Sequence, residues 1–508
     1  MLRHFTLCFF AFSSCIASNA QTFEQSIQGN SAQFGTALAA TSDGGFILAG
    51  YTQAFGIVNG YDNVYLVRTD GNGDTLWTRA FSGTGTDQGF AVAQTSDGGF
   101  LVAGTSNSFG GGDKDVLLVR TDASGDPLWS KTYGGSGEDA AYDIALTPDG
   151  GAIMAGQSGV SGGAGGGLNT YVIRIDAAGD TLWTRTFNSG SDNYAYSVGE
   201  VTGGDHIIAG VGAFGIWYME LMRIDDNGDL VWNKAMTTGY AAAYSAVETS
   251  DGGLIVAGVL GEAGLVKTDA NGDTLWTRIY NGPSNDYAYS VQQTPDGGYV
   301  FSGENLSHTW LVRTDSNGDT LWQHTYSSGN AELNQVVLTD DGGFAVCANR
   351  HGGAGSGGYA MQLVRTGATG MIPCNMLTPA VSVTTAALTI NIPTLVVASY
   401  GAIGTPSVVV GSGAIVVTPC TTVGIVEASH RAAISVYPDP TTSAITISTI
   451  AAIDQVQLFD ATGRSVPLIM LDPSTRTFDV SGLDAGLYFL RCSTKDRSLL
   501  CASFVKEQ

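Results

Sequence analysis

One unit recurs seven times along this chain, and that repetition limits the fold more than any other feature. Thr-x-Asp-Gly-Gly followed by an apolar run stands at Asp43, Asp97, Asp149, Asp251, Asp296 and Asp341, and a scrambled Gly203-Gly204-Asp205 fills the remaining place. A second pattern, Leu-Val-Arg-Thr-Asp-x-Asn-Gly-Asp-Thr-Leu-Trp, runs from Leu66 to Trp77 and returns with its Trp at Trp129, Trp183, Trp232, Trp276 and Trp322. The seventh copy, Leu363 to Thr366, stops before its Trp.

Within each unit, turn signals separate four short apolar runs, here called A to D. In the second unit they are 89–95, 100–105, 115–121 and 127–133. Asp97-Gly98-Gly99 and Ser124-Gly125-Asp126 supply residues that tolerate positive φ in tight hairpins. A four-stranded antiparallel meander of this size is a propeller blade. The truncated last unit lacks strand D, and Gln21 to Ile27 aligns with Thr181 to Phe187, with Phe23 in the Trp position. The expected fold is therefore all-β: a seven-bladed β-propeller over 21–370, closed by its N-terminal strand so that no sheet edge is left open. Strand A is rich in Gly and Ala (Ala140-Ala141-Tyr142, Tyr240-Ala241-Ala242-Ala243), as crowding beside the axis demands.

The acidic residues follow the repeat. Six Asp precede Gly-Gly, six close Arg-Thr-Asp and six close the C–D turn, 18 of 46 acids in all. A catalytic acid and base would be singular, so these are architectural. The same applies to 12 of the 22 basic residues, from Arg68 to Arg365 at one repeat position and from Arg79 to Arg278 at another. With a net charge of −24 the chain is unsuited to nucleic acid or anionic membrane. The five His beyond the leader show no metal-ligand spacing. Asp70-Gly71-Asn72-Gly73-Asp74 lacks the Gly and Glu spacing of an EF-hand and reads as a hairpin turn. No cofactor is expected, beyond adventitious calcium.

Residues 1–20 read as a signal peptide: Arg3, an apolar run from Phe5 to Phe12, and Ala17-Ser18-Asn19-Ala20 at the cleavage site. Export would leave five cysteines. Cys347 replaces a small residue of a buried strand and reads as a core thiol, while Cys374, Cys420, Cys492 and Cys501 are disulfide candidates. Cys374 with Cys420 would staple the uncharged, β-prone spacer 371–430, and Cys492 with Cys501 would be cross-strand partners in a hairpin. Pro379, Pro393 and Pro406 break that spacer, so no segment after the leader is expected to span a membrane.

The repeats resemble those of bacterial propeller-repeat proteins whose units read Asp-Gly-Gly-Phe and Arg-Thr-Asp-x-x-Gly-Asp-x-x-Trp, and the Trp after an Asp-Gly turn is similar to the tryptophan-docking motif of quinoprotein propellers. The tail, 431–508, carries Tyr437-Pro438-Asp439-Pro440, Asp460-Ala461-Thr462-Gly463-Arg464, Ala485-Gly486-Leu487-Tyr488 and Lys506. Its runs and turns suit a small β-sandwich. In that order the motifs resemble the type IX (Por) secretion sorting domain, with Asp439 in place of the usual Asn. The resemblance implies the type IX machinery as a partner, and a Gram-negative chain secreted or attached to the outer surface.

No active site stands out. The expected role is a binding scaffold for protein or polysaccharide, the alternatives being a polysaccharide-active lyase or glycosidase on a propeller, or a structural surface component. The A–B and C–D turns are short and uniform, whereas the B–C loops on the opposite face vary. Those loops carry Phe55, Tyr61, Phe109, Phe214, Trp217 and His308 as candidate ligand contacts.

Overall fold

In a computed structural model of the chain, the described residues are 22–506 except 29–30, 55–59, 160–166, 190, 214, 283–285, 329–334, 352–358, 373–375, 378, 380, 387, 392–395, 399–401, 405–408, 412–414, 422–434, 438–442, 449–452, 461–464, 468, 473–475 and 495–498. Residues 1–21, which include the expected signal peptide, lie outside them. The chain divides into two compact units, Met1–Thr422 and Val423–Gln508, and every regular element described is a strand.

The first unit contains seven antiparallel sheets, each built from strands A to D of one repeat. In the first, Gln33–Ala40, Phe46–Thr52, Asn63–Thr69 and Thr75–Ser82 pair in sequence order. In the last, Val336–Leu338, Phe344–His351 and Tyr359–Thr366 are followed by the N-terminal strand Phe23–Gln28. Phe23 lies opposite Arg365 as Trp77 lies opposite Arg68, so the N-terminus supplies the missing strand D in the expected register.

Consecutive sheets stack face to face, and each interface has its own apolar core. Ala37, Ile47 and Leu66 meet Val92, Phe100 and Val102 between the first two sheets. At the closing interface Phe23, Ile27 and Met361 of the last sheet meet Leu38, Phe46 and Tyr65 of the first. A sheet that is apolar on both faces cannot stand alone, which is why the repeats close into a propeller ring. Each fully buried Leu or Phe contributes about 1.5–3 kcal/mol, far above the return from a half-exposed ion pair, about 0–1 kcal/mol.

Those ion pairs nevertheless explain the two repeating cations. In each sheet the strand C cation reaches the A–B turn acid, as Arg120 does Asp97 at 2.6 Å and Arg174 does Asp149 at 2.8 Å. The strand D cation crosses to the C–D turn acid of the next sheet, as Lys131 does to Asp180 at 2.6 Å and Lys234 to Asp273 at 2.8 Å. Beside it the Trp docks on the next turn. Trp129 rests on Gly179, whose φ is +78°, and Tyr133 donates its hydroxyl to the Gly179 carbonyl at 2.7 Å. The first acid of the turn is occupied within the turn itself: Asp70 Oδ1 accepts the Asn72 and Asp74 N–H groups, both at 2.9 Å.

The segment expected as a separate spacer instead belongs to the ring. It runs backward around the sheets, adding a fifth strand outside each strand D: Met376–Leu377 on the sixth sheet, then Ser382–Thr384, Thr389–Asn391, Val396–Ala398, Ala402–Gly404 and Val409–Gly411 on the fifth to the first, and Ile415–Thr421 on the seventh. Its strands start six or seven residues apart, and that much extended chain spans about 20 Å, enough to step from one sheet's outer edge to the next. Uncharged Val, Ile and Thr suit it because each D edge offers unpaired backbone. The N-terminal strand thus lies between strand C and the strap, with Glu24 opposite Val364 and Cys420. Cys374 lies outside the described residues.

The second unit holds two four-stranded sheets with one shared core of Ile445, Ile447, Leu458, Phe478, Tyr488, Leu490 and Cys492. Its last hairpin corrects one expected disulfide. Cys492 lies opposite Leu500, and Cys501 opposite Arg491. The two cysteines are one place out of direct cross-strand pairing, and a one-residue offset reverses the face. Cys347 is buried between the last and first sheets, and burial pushes its thiol up to about 12.

Candidate binding face

Strand A carries a β-bulge in each of the first six sheets. In the fourth, the pairing with strand B shifts between Ala195 and Ser197, leaving Tyr196 unpaired. The bulge brings two backbones so close that only glycine fits opposite it: a Cβ on Gly210 would strike the Tyr194 carbonyl, and Gly50, Gly104, Gly156, Gly258 and Gly303 stand in the same relation to their own strand A. The bulge also breaks the period of two, turning one side chain per sheet toward its neighbours around the axis.

Those side chains form an arc. Phe90, Tyr142, Tyr196, Tyr244 and Tyr289, from the second to the sixth sheets, follow one another with ring centroids 5.3, 5.6, 5.2 and 5.2 Å apart. Thr36 takes the place in the first sheet and donates to the Gly89 carbonyl at 2.8 Å. The Gly and Ala expected beside the axis are present, but the aromatic residue between them was not anticipated. Burial holds the phenols of Tyr142, Tyr196 and Tyr244 above their usual range, Tyr196 at about 12, so these three remain donors at any physiological pH.

From this arc rings lead toward the B–C loops. Tyr194 stacks on Tyr196 at 6.3 Å and on Trp217 at 6.1 Å, and Tyr287 stacks on Tyr289 at 5.7 Å. Trp217 is 36% exposed, Tyr61 46% and Tyr240 50%, and Ile216 and Leu306 are also exposed at this end. Beneath Trp217 runs a hydrogen-bonded chain. Tyr218 donates to Ser189 Oγ at 2.7 Å, Ser189 to Asn193 Oδ1 at 3.1 Å, and Asn193 Nδ2 to Glu220 Oε2 at 3.0 Å. Burial pushes the Glu220 carboxyl up to about 7.

Of the six candidate contacts, Tyr61 and Trp217 are exposed as expected. Phe109 is not: it folds over Gly83 and packs on the core between the first two sheets. His308 opens the strand after a two-residue hairpin turn, Leu306 and Ser307, both at positive φ, with its Nδ1 2.8 Å from the Leu306 carbonyl, so that loop is shorter than expected. Phe55 and Phe214 lie outside the described residues. Six further apolar residues, Leu76, Leu128, Leu182, Val231, Leu275 and Leu321, are exposed one per sheet at the start of strand D.

Charge separates the two ends of the ring. Twelve of its basic residues occupy the repeat positions at the turn end, leaving Lys114 and Arg350 near the loops. Lys114 is already paired with Glu138 at 3.2 Å. Asp62, Asp192, Glu262 and Glu304 share the loop end.

In the tail, Gly486 opens the strand Gly486–Thr494 directly opposite Lys506, and the buried Tyr488 donates its hydroxyl to the Asp484 carbonyl at 3.0 Å. These two motifs, distant in sequence, are thus one hairpin. Pro438, Asp439, Pro440 and Gly463 lie outside the described residues. Residues 435–506 match the family model described as a secretion system C-terminal sorting domain. The tail is that sorting domain. It marks the chain for secretion and cell-surface attachment by the type IX machinery, and the ring it follows is a β-propeller.

Beyond the sorting domain, the chain is similar over 176 residues, at 27% identity, to the regulatory protein FlaEY of Caulobacter vibrioides; the match takes in 30% of this chain and 18% of that protein's length. Among solved structures it is similar to the Neurospora crassa Pan2 WD40 domain (11% identity, TM-score 0.41, covering 65% of this chain and 89% of that one). It is also similar to the Pseudomonas aeruginosa periplasmic gluconolactonase PpgL (13% identity, TM-score 0.39, covering 68% and 100%). Among the described residues no helix is long and apolar enough to cross a membrane.

Proposed function

We propose that the protein is a seven-bladed propeller displayed on or released from a Gram-negative cell after signal-peptide removal, with the C-terminal β-sandwich as its export signal. On this reading it is a non-catalytic scaffold that holds a protein or polysaccharide on the loop end of the ring. The observation that carries the reading is the continuous stack from exposed Trp217 through Tyr194 to the axial arc. Rigid aromatic faces give large contact area at low entropy cost and suit sugar rings and apolar side chains equally. The acidic surround disfavours polyanions, so a neutral or basic ligand fits best. A polysaccharide-active enzyme would need singular acids open to substrate, whereas Asp139 and Glu220 are shut away from solvent.

The test is a glycan array and a surface-protein pull-down with the secreted chain, run beside Trp217→Ala, Tyr61→Ala and Leu275→Ala. Trp217→Ala should reduce binding at least tenfold while Leu275→Ala, at the opposite end, leaves it unchanged. Loss with Leu275→Ala alone would place the ligand at the turn end, and turnover of any array glycan would favour the enzyme.

A further inference from the structure

The fourth, fifth and sixth sheets differ at one place beside the axis. Tyr194 and Tyr287 precede the bulge by two residues in the fourth and sixth, paired with Val211 and Glu304 of strand B, whereas Ala242 holds that place in the fifth, paired with Val259. The B–C turn of the fifth sheet is only Gly261 and Glu262. A third ring enters here, from the connection between the fourth and fifth sheets. Tyr240 accepts the Gly261 N–H through its carbonyl at 2.9 Å, which ties it to that short turn, and its side chain is 50% exposed and hydrogen-bonded to Tyr244 of the arc. Val211, Ala242 and Val259 form the buried patch on which Tyr194, Tyr196, Tyr244 and Tyr287 pack. Three phenol rings with solvent access, Tyr194, Tyr240 and Tyr287, thus stand around one apolar patch.

Two carboxylates adjoin these rings. Glu262 Oε2 accepts the Asp286 N–H at 2.9 Å, which brings it against the residue before Tyr287. Glu304 is the cross-strand partner of Tyr287 and takes the Tyr289 hydroxyl at 3.5 Å. Burial first, and then the nearness of Tyr240, Glu304 and Glu262, raises the Tyr287 phenol. The Lys and Arg of these three sheets are all engaged elsewhere. Arg223, Lys234, Lys267, Arg278 and Arg313 pair with acids of the A–B and C–D turns at the opposite end, Asp205, Asp273, Asp251, Asp319 and Asp296.

An aromatic ring is negative on its face and attracts a cation placed over it, most strongly where water is excluded. Ring faces and carboxylates together select positive charge and turn polyanions away. Donors of the fold already fix Glu262 and Glu304, so toward a ligand they act as standing charge. A quaternary ammonium group has no N–H to satisfy and loses little on entering such a site, whereas a primary ammonium gives up the strong hydration of its N–H donors.

We propose that Tyr194, Tyr240 and Tyr287 hold a quaternary ammonium group at the loop end of the fourth to sixth sheets, with Glu262 and Glu304 supplying the countercharge. Given the loop end as the binding face, the ligand it takes then carries a methylated ammonium head.

The secreted full chain is titrated at pH 7.5 with choline chloride, with ethanolamine and with the neutral isostere of choline in which carbon replaces nitrogen, by calorimetry and by intrinsic fluorescence. Choline should bind saturably at one site per chain, roughly tenfold or more tighter than either control, the margin of a desolvated cation on aromatic faces. Tyr240→Phe keeps the ring and should keep the affinity. Tyr240→Leu keeps apolar area, should melt with the parent because the side chain is half exposed, and should weaken choline at least tenfold. Glu262→Gln still accepts the Asp286 N–H and should weaken choline several-fold. Absence of choline binding, equal binding of choline and its isostere, or unchanged affinity in Tyr240→Leu overturns the site. If choline does not bind yet Trp217→Ala still loses a glycan or protein partner, the quaternary ammonium site falls and the loop end remains the binding face. Choline binding that Tyr240→Leu abolishes, beside partners indifferent to Trp217→Ala, means the reverse.

Discussion

Gln335 of the last sheet accepts the backbone N–H of Leu38 in the first through its Oε1 at 2.8 Å. In the third to sixth sheets the residue after the bulge accepts the equivalent backbone N–H of the next sheet: Asp143 from Val198 at 2.9 Å, Ser197 from Ala246 at 3.4 Å, Ser245 from Val291 at 3.3 Å and Ser290 from Val336 at 3.2 Å, whereas Ala37 and Ala91 hold that place in the first two. Only at the closing interface is the link made by a long amide. Gln335→Ala leaves that N–H without its side-chain acceptor and should cost about 1–2 kcal/mol, read as a lower denaturant midpoint with unchanged slope. No change would mean that the apolar core around Phe23 and Phe46 closes the ring without it.

The docking of Trp on the following turn makes one glycine more demanding than another. Gly179 and Gly252 have nearly the same φ, +78° and +79°, but a Cβ on Gly179 would come within 2.6 Å of Trp129, whereas nothing lies within 4 Å of Gly252. Gly252→Ala should cost about 1 kcal/mol, the penalty of positive φ alone. Gly179→Ala adds displacement of a rigid indole and should cost roughly 2–4 kcal/mol in all. Equal losses in thermal melts would show that the Trp shifts without penalty.

The repeat itself, the N-terminal closing strand and the tail were legible because each rests on a local pattern. Asp-Gly-Gly fixes a turn, and Phe23 keeps the spacing of the Trp it replaces. The axial arc was not legible from Tyr142 or Tyr196, because a bulge resets the alternation on which the inside–outside assignment of a strand depends. Its signal was the glycine on strand B at Gly104, Gly156 and Gly210, which repeats without a turn to explain it. The strap escaped notice because three-residue strands such as Val396–Ala398 carry no alternation of their own; their repeat of six or seven residues answers to the spacing of the sheets.

Stability should be highest at roughly pH 4–5. Burial raises the carboxyls of Asp139 and Glu220 to about 7 and of Asp143 and Asp286 to about 6. These groups ionise in the unfolded chain near pH 4, before they do in the fold, so stability falls as pH rises from about 4 to 7. The turn acids have the opposite sign. Hydrogen bonds from Thr95, Thr147 and Thr249, with their Arg or Lys partners, hold Asp97, Asp149 and Asp251 at about 2, so their contribution is lost as pH falls from about 4 to 2. Glu220→Gln should flatten the upper limb and stabilise the protein at pH 8 by up to ~3 kcal/mol. A flat profile between pH 5 and 8 in the unmodified chain would show that these carboxyls are hydrated.

Two truncations separate the strap from the export signal. Ending the chain after Thr422 removes the sorting domain but leaves every sheet with five strands. That product should melt with the full chain and remain in the periplasm, since nothing presents it to the type IX machinery. Ending it after Gly370 removes the strap as well, uncovering seven strand D edges, including that of the N-terminal strand that closes the ring. Unpaired edges carrying apolar residues such as Leu182 and Leu275 next to free backbone are templates for association. The shorter product should therefore aggregate or melt at a lower temperature, with the loss largest at the seventh sheet, where the strap strand Ile415–Thr421 is the longest. Hydrogen exchange at Glu24 and Ser26, each placed between strand C and the strap, reports on that sheet directly. If both truncations melt alike and stay monomeric, the strap adds nothing to the ring, and residues 371–421 serve only as a connection to the sorting domain.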